Sequence, residues 1–137
     1  MTDRAATPAA RVTGLVGVYD ADGTLRGELA YWVGARLGRR HCSLCDITHG
    51  SVRARPAWVE CRAGLPVPFD TYHRDDQPDD VRAAVGGTVP VVAARTERGV
   101  VQLLGPAELE ACAGSIDRLM AGIDAAVERL ALVWDAV

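Results

Sequence analysis

The sequence contains no lysine and no asparagine, and all fifteen of its basic residues are arginine. Such uniformity reflects a bias of composition, so no single arginine acquires a role from its presence alone. There is no dense basic run, and the formal charge is −3 with an isoelectric point near 5.5. Both facts argue against nucleic acid as a partner, since binding to it requires phosphates to be neutralised by clustered positive charge. No apolar run approaches the roughly 20 residues that span a bilayer. The first ten residues hold Asp3, Arg4 and Pro8 where a secretory signal would need an unbroken apolar stretch. A cytoplasmic chain without a membrane partner is therefore expected. Internal repeats, a P-loop, a dinucleotide fingerprint and a Ser-His-Asp arrangement are also missing.

What is present suits one core. The chain has 137 residues, 49% of them hydrophobic, which is enough for a single domain. Residues 1–11 mix Ala, Thr, Pro and charge without periodicity and read as a flexible leader, leaving 12–137 as the domain. Leu15, Val16, Val18 and Tyr19 predict a strand over 13–19, stopped by the turn Asp20-Ala21-Asp22-Gly23. Residues 20–40 admit two readings. Leu25, Leu29, Trp32, Val33 and Leu37 recur at helical spacing, yet Asp22-Gly23 could equally open a hairpin.

Beyond the cysteine segment, Pro56 suits the first turn of a helix ending near Arg62. The alternation around Val67, Phe69 and Thr71 predicts a strand that leads into an acidic turn. A short helix from about Pro78 to Val85 and two adjacent strands, Val89–Val92 and Val100–Leu104, follow. Pro106 opens a terminal helical region with one apolar face, divided at Gly114-Ser115. The order predicts an α/β fold: a small central mixed sheet with helices on both faces.

In a reducing compartment the four cysteines, Cys42, Cys45, Cys61 and Cys112, do not imply a structural disulfide framework, and the close spacing of one pair points to redox chemistry or a metal. Cys42-Ser43-Leu44-Cys45 brings two thiols within disulfide reach, and His41 with Arg39-Arg40 would favour a thiolate at Cys42. Cys61 and Cys112 fall on helical segments and read as packing residues. His73 precedes acidic residues at a strand end and reads as a solvated or ion-paired histidine, although strand ends of open α/β sheets border clefts.

Cys42-x-x-Cys45, followed by a helix, a strand and then Thr88-Val89-Pro90 at the start of a buried strand, resembles the thioredoxin and glutaredoxin superfamily. The likeness runs from Cys42 to about Leu119, with an insertion of some twenty residues before the cysteines. The resemblance implies a thioredoxin-like fold and a thiol-disulfide oxidoreductase. Cys42 would attack and Cys45 resolve the mixed disulfide, while Thr88, Val89 and a cis Pro90, with His41, would line the substrate site. The partner would be a low-molecular-weight thiol such as glutathione, or a peptide or protein disulfide, and no cofactor would be required.

The same segment supports a second chemistry. His41, Cys42, Cys45 and His49 offer two imidazoles and two thiolates within nine residues, donors that suit zinc or copper. Asp20-Ala21-Asp22-Gly23-Thr24 lacks the ligand spacing of a calcium loop and reads as a turn. Asp75-Asp76 and Asp79-Asp80 read as a solvated helix cap.

Overall fold

The computed structural model describes residues 9–20, 43–48 and 55–135. The helix-or-hairpin alternative for 20–40 concerns a segment that, apart from Asp20, lies outside these residues. The described elements are β1 (Arg11–Tyr19), α1 (Ser43–Thr48), α2 (Pro56–Ala63), β2 (Phe69–His73), α3 (Asp79–Val85), β3 (Val91–Thr96), β4 (Gly99–Leu104), α4 (Pro106–Ala111), α5 (Ile116–Arg129) and β5 (Val133–Trp134).

The strands form one mixed sheet in the order β2-β1-β3-β4, with β5 also joined to β1. β1 runs parallel to β2 and antiparallel to β3, which is in turn antiparallel to β4. β1 is thus the central strand and, from Val12 through Tyr19, only Thr13 is not buried. A register shift between Val12 and Gly14 gives β1 one extra residue against β3. That bulge lets Val12 and Leu15, three positions apart, join the same apolar cluster. Val16 and Val18 belong to the opposite face.

Each face has its own helices. On one, Leu15, Tyr19 and Phe69 pack with Leu44 and Ile47 of α1, Trp58 of α2, Leu109 of α4 and Leu119, Ile123 and Val127 of α5. On the other, Val16, Val18, Val91 and Ala93 pack with Val81 and Val85 of α3. In α5 the buried residues Leu119, Ile123, Ala126 and Val127 recur at helical spacing, and each large one contributes about 1.5–3 kcal/mol by leaving water.

Local chemistry sets the helix boundaries. Pro56 occupies the first turn of α2 and holds Arg55 extended at φ −68° and ψ 136°. Asp79 and Asp80 face the positive end of α3, and Gly86, at φ 62°, receives the chain in the left-handed conformation that ends it. The expected division of the terminal helix is real: Ser115 accepts from the Arg118 backbone N–H at 3.2 Å and starts α5.

Three boundaries differ from the sequence reading. β1 begins at Arg11, two residues before the expected strand, because Arg11 and Val12 pair with Val133 and Trp134 of β5. β5 itself has only two residues, too few for alternation to reveal. β3 begins at Val91, since Pro90 has no N–H to give a ladder; the Val89–Pro90 bond is cis. No helix among the described residues is long and apolar enough to cross a membrane.

Candidate functional site

The carboxyl ends of β1 and β2 lie side by side. Tyr19 and His73, the last residues of the two strands, are register partners, and their rings are 5.8 Å apart at 55°. One residue further on, Arg74 Nη1 meets Asp20 Oδ1 at 3.3 Å, so two successive cross-strand contacts close this edge. Asp76 then folds back on His73. Its Oδ1 accepts the His73 backbone N–H at 2.6 Å, and its Oδ2 lies 3.3 Å from Nδ1. An ionised carboxylate only accepts, so this contact favours a proton on Nδ1.

α1 approaches the same strand end. Gly17 allows the contact: a Cβ there would stand 3.2 Å from Leu44 Cδ2 and 3.1 Å from Phe69 Cε1. Leu44, Ile47 and Thr48 are all buried. Thr48 Oγ1 donates to the Leu44 carbonyl at 3.2 Å, and since a threonine has one hydroxyl proton, the Tyr19 hydroxyl is the donor in its 3.0 Å contact with Oγ1. Arg55 ties down the end of α1. Its Nη1 donates to the carbonyls of Ile47 at 3.1 Å and Gly114 at 2.8 Å, and its backbone N–H donates to Thr48 at 2.8 Å. A cation satisfying the last carbonyls of a short helix compensates for bonds the helix cannot make internally.

Thr88-Val89-Pro90 arrives at this edge from the opposite direction. Val91, the residue after Pro90, is the register partner of Val18. Thr88 donates its N–H to Val85 at 3.0 Å, Val89 packs on the apolar cluster under α3, and Pro90 is buried. Of the residues singled out from sequence, Cys45 is carried by α1, one turn before Thr48. Cys42, His41 and His49 lie outside the described residues. Among the described residues, no group of three or more His, Cys, Asp or Glu side chains is arranged to hold a metal.

Of the other cysteines, Cys112 joins the apolar core, whereas Cys61 is half-buried and is not part of either apolar cluster. Cys112 is buried at the end of α4, where Sγ donates to the Glu108 carbonyl at 3.4 Å, and burial pushes its thiol up despite the nearby Arg118. Cys61, half-buried on α2, is raised by burial and by Asp117. Both shifts disfavour the thiolate. At the N-terminus of α3 the Arg95 guanidinium bonds Asp80 and holds its carboxyl below the usual carboxylate range. An open groove of about 380 Å³, lined by Val59, Arg62, Ala63, Pro68, Phe69 and Asp70, sits at the opposite end of β2 from His73.

No protein-family model, curated protein or solved structure matches this chain. The chemistry available is therefore that of the residues themselves. The strand-end edge assembles a carboxylate-held histidine, a buried tyrosine hydroxyl, a proline-led strand and the helix that bears Cys45. Sequence reading missed Tyr19, Thr48 and Arg55 as parts of it. Asp76, read from sequence as part of a solvated helix cap, instead bonds His73 three residues before it.

Proposed function

We propose that this protein is thioredoxin-like and uses Cys42 and Cys45 in thiol-disulfide exchange. The observation that carries the proposal is topological. A small mixed sheet built on a central β1, parallel to β2 and antiparallel to β3, with helices on both faces is compatible with the α/β fold that the resemblance implies. Among the described elements, α3 packs on one face and α1, α2, α4 and α5 on the other, which supports the same reading. Pro90 supports the reading further: it directly precedes β3 at the edge where β1 ends.

In this reading a thiolate at Cys42 attacks one sulfur of a disulfide and the other sulfur departs. Cys45 then attacks Cys42 in the mixed disulfide, releasing the second thiol and closing an intramolecular bond. His41 and the neighbouring arginines favour the first thiolate. The backbone of Thr88-Val89-Pro90 provides a place for an extended peptide or glutathione to pair. The substrate is a low-molecular-weight or peptide disulfide.

Reduced protein mixed with hydroxyethyl disulfide and glutathione tests this. Cys42→Ser is expected to abolish exchange, and Cys45→Ser to accumulate a mixed disulfide visible in the intact mass. Full and equal exchange in both variants would reject the proposal.

A further inference from the structure

We propose that the outer side of β2 docks an extended peptide of a partner protein, one that sets a lysine or arginine opposite Asp70 and an apolar side chain beside Val59. The inference goes beyond the thiol reading and does not depend on it. β2 is the end strand of the sheet, bonded among the described strands to β1 alone. The Leu15 N–H donates to the Pro68 carbonyl at 2.8 Å, and Leu15 is the register partner of Phe69. In a parallel ladder that phase turns the backbone groups of Asp70 and Tyr72 toward β1 and those of Phe69, Thr71 and His73 away from it. His73 is closed off by its own turn: its N–H donates to Asp76 Oδ1 at 2.6 Å, and its carbonyl accepts the Asp76 N–H at 3.2 Å. The N–H and C=O groups of Phe69 and Thr71 are therefore what a new strand can pair, and among the described residues nothing bonds them.

Charge decides the occupant. In an antiparallel strand paired through Phe69 and Thr71, one residue stands directly across from Asp70. Asp70 is exposed and makes no ion pair among the described residues, so a cation in that place is favoured and a carboxylate repelled. A second copy of this chain in the same register would bring its own Asp70 there, and two carboxylates face to face disfavour self-pairing. The next residue of the incoming strand falls on the Phe69 side, where the Phe69 ring meets Trp58 of α2 edge-on at 5.0 Å. The open groove of about 380 Å³ lies on this side, and Val59, 53% exposed, forms its apolar wall with Ala63. Arg62, in the last turn of α2, borders the groove and makes no ion pair among the described residues, so it suits an acidic residue two places further along. Main-chain bonds supply attachment, and the order basic, apolar, acidic supplies selection.

The test titrates the isotope-labelled full chain with a synthetic peptide, Thr-Thr-Lys-Val-Thr-Glu, capped at both ends, and reads amide shifts and hydrogen exchange. The peptide should shift and protect the Phe69 and Thr71 amides. Asp70→Lys should bind it about fivefold more weakly, the size of a strong cross-strand charge pair, and should prefer the peptide with glutamate in place of lysine. Thr71→Pro removes an outward N–H and no bond to β1, so it should weaken binding at least as much while circular dichroism stays unchanged. Unmoved Phe69 and Thr71 amides at millimolar peptide, or equal binding by the parent and Asp70→Lys, would overturn the inference. Protection of both amides in the free chain would also overturn it, since another segment or a second copy would then hold this side of β2.

Discussion

The Tyr19 hydroxyl donates to Thr48 Oγ1 across 3.0 Å, joining the last residue of β1 to the last residue of α1. Both residues are buried. The bond is a polar contact inside the apolar layer beneath α1, and it ties the cysteine-bearing helix to the sheet.

Removing that donor leaves a buried acceptor short of a partner. Tyr19→Phe is expected to lower stability by about 1 kcal/mol, the usual net worth of a hydrogen bond. A urea titration should show an earlier midpoint with an unchanged slope. Hydrogen exchange over 43–48 should quicken relative to α5.

Gly17 is expected to tolerate no branched side chain. A Cβ already approaches Leu44 and Phe69 to 3.2 and 3.1 Å, so Gly17→Val must displace α1 or the Phe69 ring. Overpacking of this kind costs about 1–3 kcal/mol. The shift of the denaturation midpoint measures it, and an unaltered midpoint would mean that α1 is not seated on β1.

The Asp80–Arg95 pair predicts one limb of the acid response. Arg95 lowers the folded pKa of Asp80 below its unfolded value. The stabilisation is therefore complete above the ordinary carboxylate value, about 4, and is lost as pH falls through the lower, folded value. Asp80→Asn should be less stable than the parent at neutral pH. The difference should shrink as the pH of thermal melts falls from 5 to 3.

Cys61 and Cys112 should remain reduced and slow to react. Burial raises both thiols, so iodoacetamide at neutral pH should label them far more slowly in the folded chain than in urea. Cys112, buried and bonded to Glu108, should be the slower. Peptide mapping over a time course separates the two rates.

Where elements were legible, repetition or punctuation made them so. The apolar run Leu15–Tyr19 marks the central strand because β1 is buried on both faces. Pro56, Pro78, Gly86 and Ser115 mark helix ends because each is suited to the backbone geometry or capping found there. β5 escaped because two residues carry no period, and its pairing with Arg11 and Val12 is settled by the turn after α5, not by its own sequence. The candidate site was half legible. Cys45 and Pro90 are singled out by spacing, and Cys42 lies outside the described residues, whereas Tyr19, Thr48 and Arg55 take part only through contacts between segments distant in sequence. Tyr19 meets Thr48 across 29 positions, and Arg55 meets Gly114 across 59.

The central claim is that the Cys42 and Cys45 thiols act as a pair, and peptide mapping of oxidised protein tests it most directly. Folded, reduced protein is treated with oxidised glutathione, alkylated, and digested. A reversible Cys42–Cys45 disulfide with Cys61 and Cys112 still alkylated as thiols is the predicted result. Cys42 and Cys45 both remaining free, or pairing with Cys61 or Cys112, would contradict it.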